Sequence, residues 1–76
     1  MPHVIVKLYP GRSEQQKARL VEEITKAVIA CANSKEADVS VSIEEVAPAD
    51  WAETVYKPDI IANPERLYKK PGYTPS

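Results

Sequence analysis

Two runs of alternating residues, His3–Tyr9 and Val39–Glu44, flank a long helical repeat that contains neither glycine nor proline. In the first run Val4, Val6 and Leu8 fall on one face, with His3, Ile5, Lys7 and Tyr9 on the other, and Pro10-Gly11 ends the run with a turn signal. In the second, Val39, Val41 and Ile43 alternate with Ser40, Ser42 and Glu44. Between them Ser13 and Gln16 are spaced as a capping box. Leu20, Ile24, Ala27, Val28 and Cys31 then recur at helical spacing, and Asn33 is a suitable C-terminal stop. Ile29, Ala30 and Ala32 widen the apolar surface beyond what a single sheet contact requires, so the end of this helix is expected to meet another chain as well. A strand, a long helix and a strand imply a β-α-β unit with parallel strands and a right-handed crossover.

That pattern gives an α+β chain of 76 residues and one domain, 1–76, with a β-α-β core over 2–46 and a packing segment over 47–76. A chain this short buries little of its surface and leans on staples, a metal or a partner. One cysteine excludes an internal disulfide, and no Cys/His cluster has metal-ligand spacing. Two parallel strands also leave open edges, which pairing with a second copy would close. Ten basic and eleven acidic residues leave a net charge of −1, too little positive field for nucleic acid or an anionic membrane. No apolar run approaches a membrane span, no signal peptide precedes the first strand, and a lone Cys31 read as core suits the cytoplasm.

Five of the seven prolines lie from Pro48 to Pro75, so regular structure there is expected in short pieces. Asp50 is placed to cap a turn or two through Trp51 to Tyr56, and Asn63-Pro64 to open a short helix over 65–69. Trp51, Val55, Tyr56, Ile60, Ile61, Leu67 and Tyr68 supply the apolar surface of this tail.

The chemistry centres on Pro2. Aminopeptidases remove an initiator methionine when the next side chain is small, which would leave Pro2 as a free secondary amine at the start of the first strand. An α-amino group titrates near pH ~8, and partial burial or a nearby cation lowers that value. A neutral amine in a rigid ring suits proton transfer, although a proline at a strand's first residue also has a purely structural reading. Arg12, on the turn into the helix, is either a solvated arginine or a clamp for a carboxylate. Trp51 is a core residue or the wall of a small apolar pocket. His3 reads as a strand histidine in an ordinary hydrogen bond before it reads as a partner of the amine. Glu44 and Glu45 point to opposite faces of a strand and cannot flank one substrate.

Pro2, the strand after it and Gly11-Arg12-Ser13-Glu14-Gln15-Gln16-Lys17 resemble the 4-oxalocrotonate tautomerase family over roughly two-thirds of the chain, Pro2 to about Trp51. Asn33-Ser34-Lys35-Glu36 and Lys69-Lys70-Pro71-Gly72-Tyr73 are similar to a subgroup of small bacterial tautomerases. The resemblance implies enol–keto proton transfer on a 2-hydroxy-unsaturated acid, with Pro2 as general base, Arg12 on a substrate carboxylate and Trp51 keeping the pocket apolar. It implies no metal and no organic cofactor, and protomers that pair into a four-stranded sheet. The Pro-rich tail favours a homodimer over a hexamer, because it could occupy a sheet face that hexamers use. One position departs: the family's second functional arginine falls on Ser40, which donates a hydrogen bond but carries no charge. A small monocarboxylate of the phenylenolpyruvate type is therefore expected over a dicarboxylate. Hydration or dehalogenation of small unsaturated acids on the same fold is the enzymatic alternative. A non-catalytic dimeric binding module is the other.

Overall fold

A computed structural model describes residues 1–75. Its chain forms two compact units, Met1–Glu45 and Val46–Ser76. In the first, strand β1 (His3–Leu8) leads through a turn into helix α1 (Glu14–Ala32), and a 3-10 turn (Glu36–Asp38) leads into strand β2 (Ser40–Glu45). The strands pair in parallel from His3 opposite Ser40 to Leu8 opposite Glu45. This is the expected β-α-β arrangement, with strand ends within a residue of those read from the alternation.

The local signals at both ends of α1 act as their chemistry predicts. Gln16 N–H donates to Ser13 Oγ at 3.1 Å, and Ser13 N–H donates to Gln16 Oε1 at 2.8 Å, completing the capping box. At the other end Asn33 takes the left-handed conformation, φ 54° and ψ 47°. The turn before the helix depends on Gly11 at φ 128°, where a side chain would be strained.

Register puts Val4, Val6 and Leu8 on the same sheet face as Val41, Ile43 and Glu45. α1 packs against β2 on this face, with Lys17, Ala18 and Val21 lining a groove beside Val41 and Ile43. Lys17 Nζ lies 3.2 Å from Glu14 and 3.6 Å from Glu45, tying the first turn of α1 to the end of β2. Cys31, expected in the core, is exposed, as is Ala27. A sheet only two strands wide covers the strip through Lys17, Val21, Ile24 and Val28, and that strip ends short of both residues. The opposite sheet face carries His3, Ile5 and Lys7 beside Ser40, Ser42 and Glu44, and Ile5 is 53% exposed.

The second unit corrects the expected capping and helix placement. Asp50 closes a 3-10 turn (Pro48–Asp50) and makes no side-chain cap. A wide π-type helix then runs over Ala52–Ile61, straight through Pro58. Proline lacks the N–H of a regular helical ladder, and its ring collides with the carbonyl four residues back, so widening the turn removes that collision. Asn63-Pro64 opens only a turn, closed by Arg66 N–H on the Asn63 carbonyl at 3.1 Å, and no helix forms over 65–69. Asn63 Oδ1 accepts from the Arg66 guanidinium and its Nδ2 donates back to the Pro58 carbonyl at 2.7 Å, so its side chain is spent before it can cap. Val55 is buried at 4% exposed, and Trp51, Tyr56, Ile60 and Leu67 are half-buried, whereas Ile61 and Tyr68 lie exposed. Among the described residues no helix is long and apolar enough to cross a membrane.

Candidate active site

The parallel register brings the start of the chain against the start of β2. Ser40 N–H donates to the Pro2 carbonyl at 3.1 Å, and Ser40 Oγ lies 2.6 Å from His3 Nδ1. Pro2 is half-buried there, while Met1 before it is 99% exposed. With Met1 in place the Pro2 nitrogen is an amide and has no basic lone pair. Nothing packs on Met1 to shield that bond from an aminopeptidase.

Arg12 sits elsewhere. Its Nη1 donates to the Tyr9 carbonyl at 3.0 Å, just past the end of β1. Seven residue steps of strand separate Tyr9 from Pro2, about 20 Å at the usual rise. Within one chain, Pro2 and Arg12 therefore cannot hold the same small molecule. Trp51 belongs to the second unit, where its Nε1 donates to the Tyr73 hydroxyl at 2.8 Å and Tyr56 stacks obliquely on Tyr73 with ring centroids 5.7 Å apart.

Of the residues singled out from sequence, the fold unites Pro2, His3 and Ser40 and sets Arg12 at the far end of the sheet. The coupling of His3 to Ser40 escaped the sequence reading because each residue merely opens its own strand. Only the register makes them neighbours. Tyr73 as the partner of Trp51 also escaped, since twenty-two positions separate them and no periodicity links them. Glu44 faces Lys7 across the strands at 4.0 Å and Glu45 faces Lys17, so the two carboxylates do point to opposite faces. Among the described residues no group of three or more His, Cys, Asp or Glu side chains is arranged to hold a metal ion.

A family model described as "Tautomerase enzyme" matches residues 2–55, beginning at Pro2. The chain belongs to the tautomerase family. It is 41% identical over 73 residues to a protein of Xylella fastidiosa (strain 9a5c) named "Probable tautomerase", a match covering 96% of this chain and 89% of that one. It is 39% identical over 75 residues to tautomerase PptA of Escherichia coli O127:H6, covering 97% and 99% of the two chains. Among solved structures, a heterohexameric 4-oxalocrotonate tautomerase from Chloroflexus aurantiacus J-10-fl superposes with a TM-score of 0.64 at 33% identity, covering 67% of this chain and 82% of that one. The fold and the isomerase class expected from the terminal proline, the arginine turn and the β-α-β order are those of this family.

Proposed function

We propose that the protein is a cofactor-independent tautomerase acting on a small 2-hydroxy-unsaturated acid of the enolpyruvate type, with the Pro2 amine as its base once Met1 is removed. The carrying observation is the setting of Pro2. Its carbonyl is held by Ser40 N–H at 3.1 Å, so the residue is anchored at the start of the strand pair. The neutral amine takes the proton from the enol hydroxyl. The freed electron pair forms the carbonyl, the C=C electrons turn toward C3, and the prolinium returns the proton to that carbon. No net proton or electron is consumed.

Arg12 is assigned to a substrate carboxylate and the polar pair at Ser40 and His3 to a second oxygen, and Trp51 is assigned to the apolar wall. Because the Arg12 guanidinium is held about 20 Å along β1 from Pro2, this reading takes Arg12 from a second copy. Two-fold pairing of strand edges supplies that geometry: it runs the copies antiparallel and brings the start of one β1 beside the end of the other. A homodimer with a four-stranded sheet is the smallest assembly that does so. The heterohexamer among the structural neighbours supports self-association of this kind of subunit.

The test is phenylenolpyruvate ketonisation by the processed protein, by Pro2→Ala and by protein that retains Met1. Activity confined to the processed wild type is expected. Equal rates in all three overturn the proposal.

A further inference from the structure

Ser40 is engaged twice inside its own unit, through its N–H to the Pro2 carbonyl at 3.1 Å and through Oγ, which lies 2.6 Å from His3 Nδ1. A hydroxyl carries one hydrogen. When that hydrogen is directed into the imidazole Nδ1 it is not available to a ligand. A neutral ring accepting at Nδ1 must carry its own hydrogen on Nε2, across the ring from the serine. His3 is exposed, and among the described residues its Nε2 has no protein partner. The pair stands on the sheet face that α1 leaves open, with Ile5 next on that face and Lys7 opposite Glu44 beyond it.

We propose that His3, through Nε2–H, is the donor that meets an anionic oxygen of the substrate, and that Ser40 is a positioning residue that selects the ring tautomer. The ligand class is a 2-oxo or 2-enol carboxylic acid, and the inference rests on the tautomerase reading of Pro2. Alternation sends the Pro2 and His3 side chains to opposite faces. The proline nitrogen, however, is a main-chain atom at the strand end and can be approached from either face. Consecutive Cα atoms lie about 3.8 Å apart, so a small acid can touch the amine and the imidazole together. The uncharged Ser40 thus gains a role through its neighbour, where a hydroxyl alone offers a ligand one weak donor.

The chain has a single histidine, so the ring nitrogens of 15N-labelled processed protein report on His3 without assignment. At a pH where the ring is neutral, wild type should show hydrogen on Nε2 and none on Nδ1, and Ser40→Ala should show a mixture of tautomers. Phenylpyruvate, the ketonisation product, should move the Nε2 resonance saturably. In the ketonisation assay His3→Ala should lower kcat/KM by about 10- to 100-fold, and His3→Gln, whose amide can donate, should recover part of the loss. The double variant with Ser40→Ala should be no slower than His3→Ala alone, because the serine acts only through the imidazole. Multiplying losses would place the Ser40 hydroxyl on the substrate and overturn the inference, as would an Nε2 resonance indifferent to phenylpyruvate. Pro2→Ala separates the two readings. If it is inactive while His3→Ala keeps full rate, the tautomerase stands and the His3 assignment falls. If Pro2→Ala keeps full rate, the reading of Pro2 as the base falls, and the Nε2 titration alone decides whether His3 binds the acid.

Discussion

Pro2 changes character with one bond. As an amide behind Met1 it only starts a strand, and as an amine it can accept a proton. Pro2→Ala keeps an amine but loses the ring, so stopped assays should find kcat down by about 10²- to 10⁴-fold, the usual contribution of a positioned acid–base group. Lys17 is a second residue whose surroundings set its behaviour. Hydrogen bonding to Glu14, with the charges of Glu14 and Glu45, raises its amine above the ordinary lysine value of 10.5. The folded chain therefore holds this proton more tightly than the unfolded one does. The pairing contributes below 10.5 wherever the Glu14 and Glu45 carboxylates are charged, and is lost as pH climbs through the raised value. Following the Lys17 amine by NMR should show it titrating above 10.5 in wild type and moving down in Glu14→Gln. The local part of each, the bond behind Pro2 and the Lys17–Glu14 pair within one helical turn, is written in the sequence, whereas the Glu45 contribution needs β2 in place. Pro2, Arg12 and the capping residues were accordingly legible one by one, from chemistry that each carries in its own side chain.

At the scale of elements, α1 is held by both ends. Ser13→Ala removes an acceptor for the Gln16 N–H and leaves that donor to water, at a cost of about 1 kcal/mol. For a domain of this size a thermal melt should then fall by about 4–8 °C, with little change in activity. The strands and α1 could be read from the chain because their signals are periodic and uninterrupted, and each is confirmed to within a residue or so. The tail could not. Its prolines announce interruption, yet Pro58 is absorbed by widening the helix, and Asn63, a good cap by composition, spends its side chain on Pro58 and Arg66. Where a side chain has several possible partners within a few residues, propensity cannot choose among them. Cys31 failed for a related reason: helical spacing gives the stripe, but not how far a two-stranded sheet extends beneath it.

For the molecule as a whole, the notable quantity is how little one chain buries. Among the described residues only Val55 is buried, and the β-α-β unit has no buried residue. Val4, Val6, Leu8, Val21, Val41 and Ile43 are all only partly buried, and Ile5 stands 53% exposed on the open face. A monomer in that state has too small a core to offset its chain entropy. If a second copy covers these surfaces, folding is linked to association, and the melting temperature must rise with protein concentration. Scanning calorimetry over a hundredfold range, beside sedimentation equilibrium, should show both the rise and a dimer mass. A melting point independent of concentration together with a monomer mass would exclude the shared site in which Arg12 serves the Pro2 of another copy.

By itself the sequence determined the family, the β-α-β order and a proline directly after Met1, because all three are written in local pattern and contiguous motif. It could not say that Ser40 lies against His3 and Pro2, or that Arg12 lies at the opposite end of the sheet. Those relations are set by strand register and direction, which a parallel pairing fixes across a nineteen-residue helix and no local rule encodes. The tertiary structure therefore decided which candidates lie together, and it set Pro2 beside a histidine–serine pair rather than beside the arginine on its own chain.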